Sequence, residues 1–251
     1  MKTSTKLVIY GTLFLCLAII TFIVYSKTQI GNIQGITFHK NSKSISKSDD
    51  LTSYHSIKIS GNYDIDLIQG PASIKYEGDS MLVENVKVTL NDSVLTISNH
   101  KEIHMVSSPS VKLVISFPTL KEFTFLGNGD VNMKDSAVTS EIKIELAGSA
   151  NIKTKFNSSI MHINILGSGA IENRGQADSL KALISGSGEI DLSETITKYA
   201  NATILGSGDI SIHATEQLDS EINGSGNIYY LGDPKINLNN MGSGSVKPYK
   251  K

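Results

Sequence analysis

The sequence predicts an all-β chain wound into a β-solenoid (β-helix-like), with an irregular β-unit before the coil and one transmembrane helix at the N-terminus. Three observations carry this. A five-residue pattern of glycine, small residue, glycine or alanine, polar residue and β-branched residue recurs. Its copies are Gly127-Asn128-Gly129-Asp130-Val131, Gly148-Ser149-Ala150-Asn151-Ile152, Gly167-Ser168-Gly169-Ala170-Ile171, Gly186-Ser187-Gly188-Glu189-Ile190, Gly206-Ser207-Gly208-Asp209-Ile210, Gly224-Ser225-Gly226-Asn227-Ile228 and Gly242-Ser243-Gly244-Ser245-Val246. Their first glycines follow one another every 18–21 residues, a fixed period that marks a repeat architecture. Alternating apolar runs flank each copy, such as Glu141-Ile142-Lys143-Ile144-Glu145-Leu146 before a triplet and Ile190-Asp191-Leu192 after one. Period-two alternation of β-branched residues reads as a half-buried strand.

Each triplet is therefore a corner between two strands. Glycine reaches positive φ without a Cβ clash, which a sharp bend needs. A meander with hairpin turns at the triplets is the competing arrangement, but near-identical corners favour stacking, rung on rung. At about 4.8 Å between neighbouring strands, seven such rungs make a column roughly 30 Å long. A rung of this length suits a two- or three-sided coil. Its inward row is predicted as Ile142, Ile144, Ile163, Ile165, Leu183, Ile204, Ile222 and Leu238 before the corners, and Ile152, Ile171, Ile190, Ile210, Ile228 and Val246 after them. No rung buries its apolar face alone; the stack does.

In chain order, residues 1–26 form a signal anchor. Leu7 to Tyr25 is apolar but for Gly11, Thr12 and Thr21, with Lys2 and Lys6 before it. As a helix it spans about 28 Å, close to the hydrocarbon thickness. Val24-Tyr25-Ser26 is a passable cleavage end, so a cleaved signal is the alternative, and both export the rest. Residues 27–52, with Ser42-Lys43-Ser44-Ile45-Ser46-Lys47-Ser48, read as a solvated linker. Residues 53–125 alternate without Gly-Ser-Gly corners and form the irregular β-unit that caps the coil. Within it Gln69-Gly70-Pro71 is a turn, and Val86, Val88, Leu90, Asn91-Asp92, Leu95 and Ile97 a hairpin. Residues 126–251 are the repeat solenoid. Pro248, Lys247 and Lys250 blunt its last strand against further pairing.

The composition sets bounds. The chain has 251 residues, 39% apolar and 19% charged, with a net charge of −1. That balance argues against a nucleic-acid partner, which demands a basic patch. Cys16 is the single cysteine and lies in the apolar run, so no disulfide framework or cysteine metal site exists.

The run Ser56-Ile57-Lys58-Ile59-Ser60-Gly61-Asn62-Tyr63-Asp64-Ile65-Asp66-Leu67-Ile68-Gln69-Gly70, then Leu95-Thr96-Ile97, then the Gly-Ser-Gly-x-Ile ladder, resembles the putative auto-transporter adhesin, head GIN domain family over about residues 50 to 250. The resemblance implies a β-helical fold and an envelope location outside the cytoplasm. It implies no catalytic residues.

Chemistry is sparse. The polar residue after each triplet forms a column: Asp130, Asn151, Ala170, Glu189, Asp209, Asn227 and Ser245. Asp130, Glu189 and Asp209 are its calcium candidates; the bland reading is a solvated corner with Asn and Asp chosen for turn geometry. The corner serines lack a nucleophile elbow, and their hydroxyls are expected to bond corner backbone. His100 and His104 sit four residues apart on an extended-looking segment, which holds them apart. A polysaccharide-active site would draw on Glu189, Asp191, Asp209 and Lys198, with Tyr199, Tyr229 and Tyr230 as a modest stacking surface. The structural glycines are Gly127, Gly129, Gly148, Gly167, Gly169, Gly186, Gly188, Gly206, Gly208, Gly224, Gly226, Gly242 and Gly244. No cofactor and no catalytic residue is expected. The predicted function is a non-enzymatic, membrane-tethered adhesin or binding module of the bacterial envelope, with a glycan or envelope protein as ligand. A self-associating envelope protein (a homo-oligomer) and a polysaccharide-active enzyme are the alternatives. The membrane partner is met through residues 7–25, and the C-terminal domain lies outside the cytoplasm, or is secreted if residues 1–26 are removed.

Overall fold

The protein is described by a computed structural model over residues 43–100 and 111–249. The apolar run 7–25, residues 27–42 of the expected linker and His104 lie outside the described residues. Among those described, no helix is long and apolar enough to cross a membrane.

The described chain is a β-coil with one short helix. Strand β2 (Ser56–Gln69) is the first turn. After it come β7 (Glu122–Asn128), β8 (Asp130–Met133), β9 (Ala137–Gly148), β10 (Asn151–Thr154), β11 (Phe156–Gly167), β12 (Ala170–Asn173), β13 (Gly175–Gly186), β14 (Glu189–Gly206), β15 (Asp209–Gly224), β16 (Asn227–Leu231), β17 (Lys235–Asn240) and β18 (Ser245–Pro248). All of these pair in parallel with the strands one turn before and after, except that no described strand follows β17 or β18. Two faces meet at the glycine corner: face A holds the segments before it, face B those after it. A shorter third side starts at Ala137, Phe156 and Gly175, with β14 at Thr195 in register with Gly175.

The corner is what allows the stack. Gly61, Gly127, Gly148, Gly167, Gly186, Gly206 and Gly224 lie in register. Gly206 has φ +138°, and a Cβ there would overlap the carbonyl oxygen of Gly186 beneath it. The backbone closes on itself at this point: Ser207 N donates to Gly186 O at 2.8 Å, Ser187 N to Gly167 O at 2.9 Å, and Ser225 N to Gly206 O at 2.8 Å. The corner serines thus contribute their N–H groups. Their side chains are exposed and, among the described bonds, their hydroxyls do not bond the corner backbone as expected, because the adjacent N–H already takes the carbonyl.

The inward rows run Ile57, Phe123, Ile144, Ile163, Ala182, Ala202, Ser220 and Ile59, Phe125, Leu146, Ile165, Ile184, Ile204, Ile222 on face A, all buried. Face B supplies Ile65, Val131, Ile152, Ile171, Ile190, Ile210 and Ile228. Sizes trade between the faces within a turn. Ile144 and Ile163 share their turns with the smaller Thr154 and Asn173; Ala182 and Ala202 share theirs with Leu192 and Ile212. Close packing demands such compensation, since the coil keeps one cross-section. Two expected inward residues behave differently. Leu183 lies in the outward column between Asn164 and Thr203, because Ala182 and Ile184 take the inward phase. Leu238 does occupy the inward column, above Ser220, yet is 50% exposed because no described strand covers β17.

One buried polar residue ties the third side to face B. Asn173 is 0% exposed. Its Oδ1 accepts from Phe156 N (2.9 Å) and Thr154 Oγ1 (2.9 Å), and its Nδ2 donates to Phe156 O (3.2 Å) and Thr195 Oγ1 (3.0 Å). The amide's whole bonding capacity is used.

The end before β2 is covered by the rest of the expected cap. Strand β3 (Ser73–Asp79) leads through the short helix α1 (Ser80–Glu84) into β4 (Val86–Asn91) and β5 (Val94–Asn99), and β6 (Val111–Phe117) follows. Asp79 caps α1 by accepting from Met81 N at 2.9 Å. The expected hairpin is β4 and β5, closed by Asp92 and Ser93 at positive φ. Strand β5 extends face A and β6 extends face B, both parallel to β2, while β3 and β4 lie antiparallel outside them. Tyr63 replaces the second corner glycine in β2. Its hydroxyl donates to Asn99 Oδ1 at 2.6 Å, and burial pushes its pKa up to about 12. Residues 44–50, expected in the linker, form strand β1 (Ser44–Asp50) antiparallel to β3. The backbone ladder tolerates polar side chains, and Lys47 lies over the Tyr76 ring at 5.6 Å.

Two substitutions test this account by urea unfolding. Gly206→Ala, which needs a Cβ where a carbonyl lies, is expected to cost about 3 kcal/mol or more, against a near-neutral Ser207→Ala. Asn173→Ala leaves Phe156 N and O unsatisfied and is expected to cost about 2–4 kcal/mol.

Candidate binding face

Face B turns two polar columns outward. The first is the one the sequence singled out: Asp130, Asn151, Ala170, Glu189, Asp209, Asn227, Ser245. Its members bond along the stack. Asn151 Nδ2 donates to Asp130 Oδ1 (3.0 Å), Asn227 N to Asp209 Oδ1 (2.7 Å) and Ser245 Oγ to Asn227 Oδ1 (2.7 Å). The register brings Glu189 beside Asp209 but leaves Asp130 three rungs from Glu189, about 14 Å away. Among the described residues no group of three or more His, Cys, Asp or Glu could hold a metal ion.

The second column runs Asp66, Asn132, Lys153, Glu172, Asp191, Ser211, Tyr229, Lys247. Two of its carboxylates are ion-paired. Asp66 receives Lys134 Nζ at 2.8 Å and Lys112 Nζ at 3.0 Å. Glu172 receives Arg174 Nε at 2.8 Å and Lys153 Nζ at 3.7 Å. Glu189, Asp191 and Asp209 have no lysine or arginine within ion-pair distance among the described residues.

These three carboxylates line an open groove of about 610 Å³ with Ser211, Tyr229, Lys247, Pro248 and Tyr249. The Tyr229 and Tyr249 rings meet edge to face, centroids 6.5 Å apart at 88°. A second hollow of about 370 Å³, lined by Asp130, Asn151, Lys153, Glu172 and Glu189 among others, lies on the same face. Face B thus carries a shallow polar trough with an aromatic pair at one end. Of the expected stacking tyrosines, only Tyr229 lies here. Tyr230 falls in the inward column with Ile212, and Tyr199 is exposed on face A. Lys198, grouped with the carboxylates as a catalytic set, lies by the third side and pairs with Asp178 at 2.8 Å. Tyr249 is not among the stacking residues expected from the sequence; the 18-residue period, which carries Tyr229 to Lys247 two positions away, is the available signal.

A parallel coil with closed corners, a capped end and a polar trough defines a repeat scaffold that presents an extended face. Residues 53–234 match the family described as Putative auto-transporter adhesin, head GIN domain, and the chain belongs to that family. Among solved structures it is similar to a putative adhesin of Bacteroides fragilis, at 25% identity and TM-score 0.81, with 85% of this chain and all of the other covered. A putative lipid binding protein of Parabacteroides distasonis matches at 26% identity and TM-score 0.69, over 84% of this chain and 98% of the other. A putative adhesin of the same organism shares the fold at 23% identity and TM-score 0.68, over 83% and 98%. A comparison with curated proteins gives no match. Description of the family as adhesins fits a location in the cell envelope or at the surface.

Asp66 gives this face a pH signature. Burial raises its pKa, but hydrogen bonds and charge from Lys134 and Lys112 outweigh that and hold the carboxyl below its ordinary value. A carboxyl depressed by folding contributes its full share above the unfolded pKa of about 4 and loses it as pH falls through the folded value. Asp66→Asn is therefore expected to cost about 1 kcal/mol at pH 7. The gap from wild type should close below the carboxylate range, as measured by urea midpoints across pH.

Proposed function

We propose that the protein is a non-enzymatic binding module of the bacterial envelope, tethered through residues 7–25, whose face B trough holds an extended glycan. The observation that carries this reading is the coincidence, in one open groove, of three carboxylates that make no ion pair among the described residues and the Tyr229–Tyr249 pair. Carboxylates accept hydrogen bonds from vicinal hydroxyls, and an aromatic face takes the apolar side of a sugar ring. A trough that repeats every rung suits a polymer better than a small molecule. Family membership supports a role in adhesion. Lys198 lies away from Glu189, Asp191 and Asp209 and pairs with Asp178, which counts against a lysine base for polysaccharide cleavage in this groove. A lipid, as the name of one solved relative suggests for that protein, needs an enclosed apolar slot for its chain. The groove here is open and lined by charged and hydroxyl groups, which favours the glycan.

A glycan array probed with the full chain in detergent tests the reading. Saturable binding is expected, weakened about tenfold by Tyr229→Ala and by Glu189→Gln, a loss of about 1.4 kcal/mol each. Binding that both variants leave intact, or none above a vesicle control, would remove face B as the site.

A further inference from the structure

The two ends of the coil are finished differently. At the capped end Leu95 and Ile97 are 0% exposed beneath β4. At the other, every residue of β17 is exposed, including Ile236 at 36% and Leu238 at 50%, and Met241 beside them is 60% exposed. Ile236 and Leu238 continue the inward columns above Leu218 and Ser220, so they are core positions without a lid among the described residues. An open apolar rung of a solenoid demands a cover. Strand β18 is blunted by Lys247 and Pro248, as the sequence suggested; β17 carries Lys235 at its start, after Pro234, and neither charge nor proline from Ile236 to Asn240.

The free backbone of β17 has a definite phase. Met241 N donates to Ile222 O at 2.8 Å, with Ile222 in register with Asn240. In a parallel ladder this turns the odd-numbered residues toward β15 and leaves the N–H and C=O of Ile236, Leu238 and Asn240 pointing outward. A strand that presents outward bonds at alternate residues can pair with its own copy in antiparallel sense only when free residues oppose free residues. A two-fold axis at Asn237 does this. Ile236 then exchanges both bonds with Leu238 of the second copy, and the two apolar side chains lie on the same, inward side. Asn237 meets its own symmetry mate as a non-hydrogen-bonded pair. From Lys235 to Asn239 the strand is self-complementary in both backbone and side chain; Asn240 opposes Pro234, which has no N–H to exchange, so the ladder ends there.

We propose that the chain closes a tail-to-tail dimer through β17, with face A running across the two-fold as one continuous sheet. The capped ends face away, so pairing stops at two copies and gives a closed isologous assembly, not a filament. In the envelope this places two face B troughs on one rigid body. The proposal is independent of what the trough binds.

The test uses the full chain in detergent with Cys16→Ser and Asn237→Cys. Opposed non-hydrogen-bonded residues lie about 4.5 Å apart between Cα atoms, within disulfide reach. Mild oxidation is expected to give a covalent dimer from Asn237→Cys and none from Asn239→Cys, whose opposite number is Lys235. Sedimentation equilibrium in density-matched detergent is expected to give a dimer for the wild type. Leu238→Lys should raise its dissociation constant about tenfold or more with an unchanged circular dichroism spectrum. A wild-type monomer at the highest concentration the chain tolerates would overturn the proposal. So would equal cross-linking at 237 and 239, or a monomer in which residues 1–42 shield β17 from exchange.

Discussion

One steric fact governs this fold: at each corner the carbonyl of one glycine occupies the space that a side chain on the next would need. Gly186 under Gly206 is representative. Removing the Cβ lets successive bends approach to backbone distance, and the serine N–H then bonds the carbonyl below. Register on both faces is fixed from that point outward, because a slip by one residue would drive a side chain into a carbonyl. The inward rows, the outward columns and the trough on face B are all consequences of that lock.

Within the lock, the interior keeps its volume by exchange. Where face A narrows to Ala182 and Ala202, face B widens to Leu192 and Ile212; where face A is broad, face B carries Thr154 and Asn173. The small polar residues are tolerated because the Asn173 amide satisfies strand ends on the third side. The outer surface follows another rule. On face B, Asp66 and Glu172 meet lysine or arginine, whereas Glu189, Asp191 and Asp209 meet none within ion-pair distance among the described residues.

The repeat half was legible because its key contact is an identity, glycine over glycine, which periodicity exposes directly. The cap was legible only in outline. The turn built by β2 hides because Tyr63 stands where the second glycine should be, and because Gly61 meets Gly127 far along the chain. Strand β1 hides because its ladder is a backbone pairing and its sequence is polar, with no apolar alternation to mark it. Leu183 misleads because Ala182-Leu183-Ile184 is apolar throughout, so period two leaves its phase open. On face B the acidic column could be read from the repeat. The Tyr229–Tyr249 pair is read less directly, since the period carries Tyr229 to Lys247 and the second ring stands two residues beyond.

The position of β2 carries a consequence for how the coil comes into being. Its two parallel neighbours, β5–β6 on one side and β7–β8 on the other, are all encoded after it. A chain emerging from the ribosome therefore offers β2 no parallel partner until residues 94–133 have followed. The later turns differ, since each finds its template already in place and can zip on as it appears. Growth is stepwise from β9 onward but must wait for one large, simultaneous closure at the start, so an interrupted chain is worth little before about residue 133 and nearly complete in kind soon after.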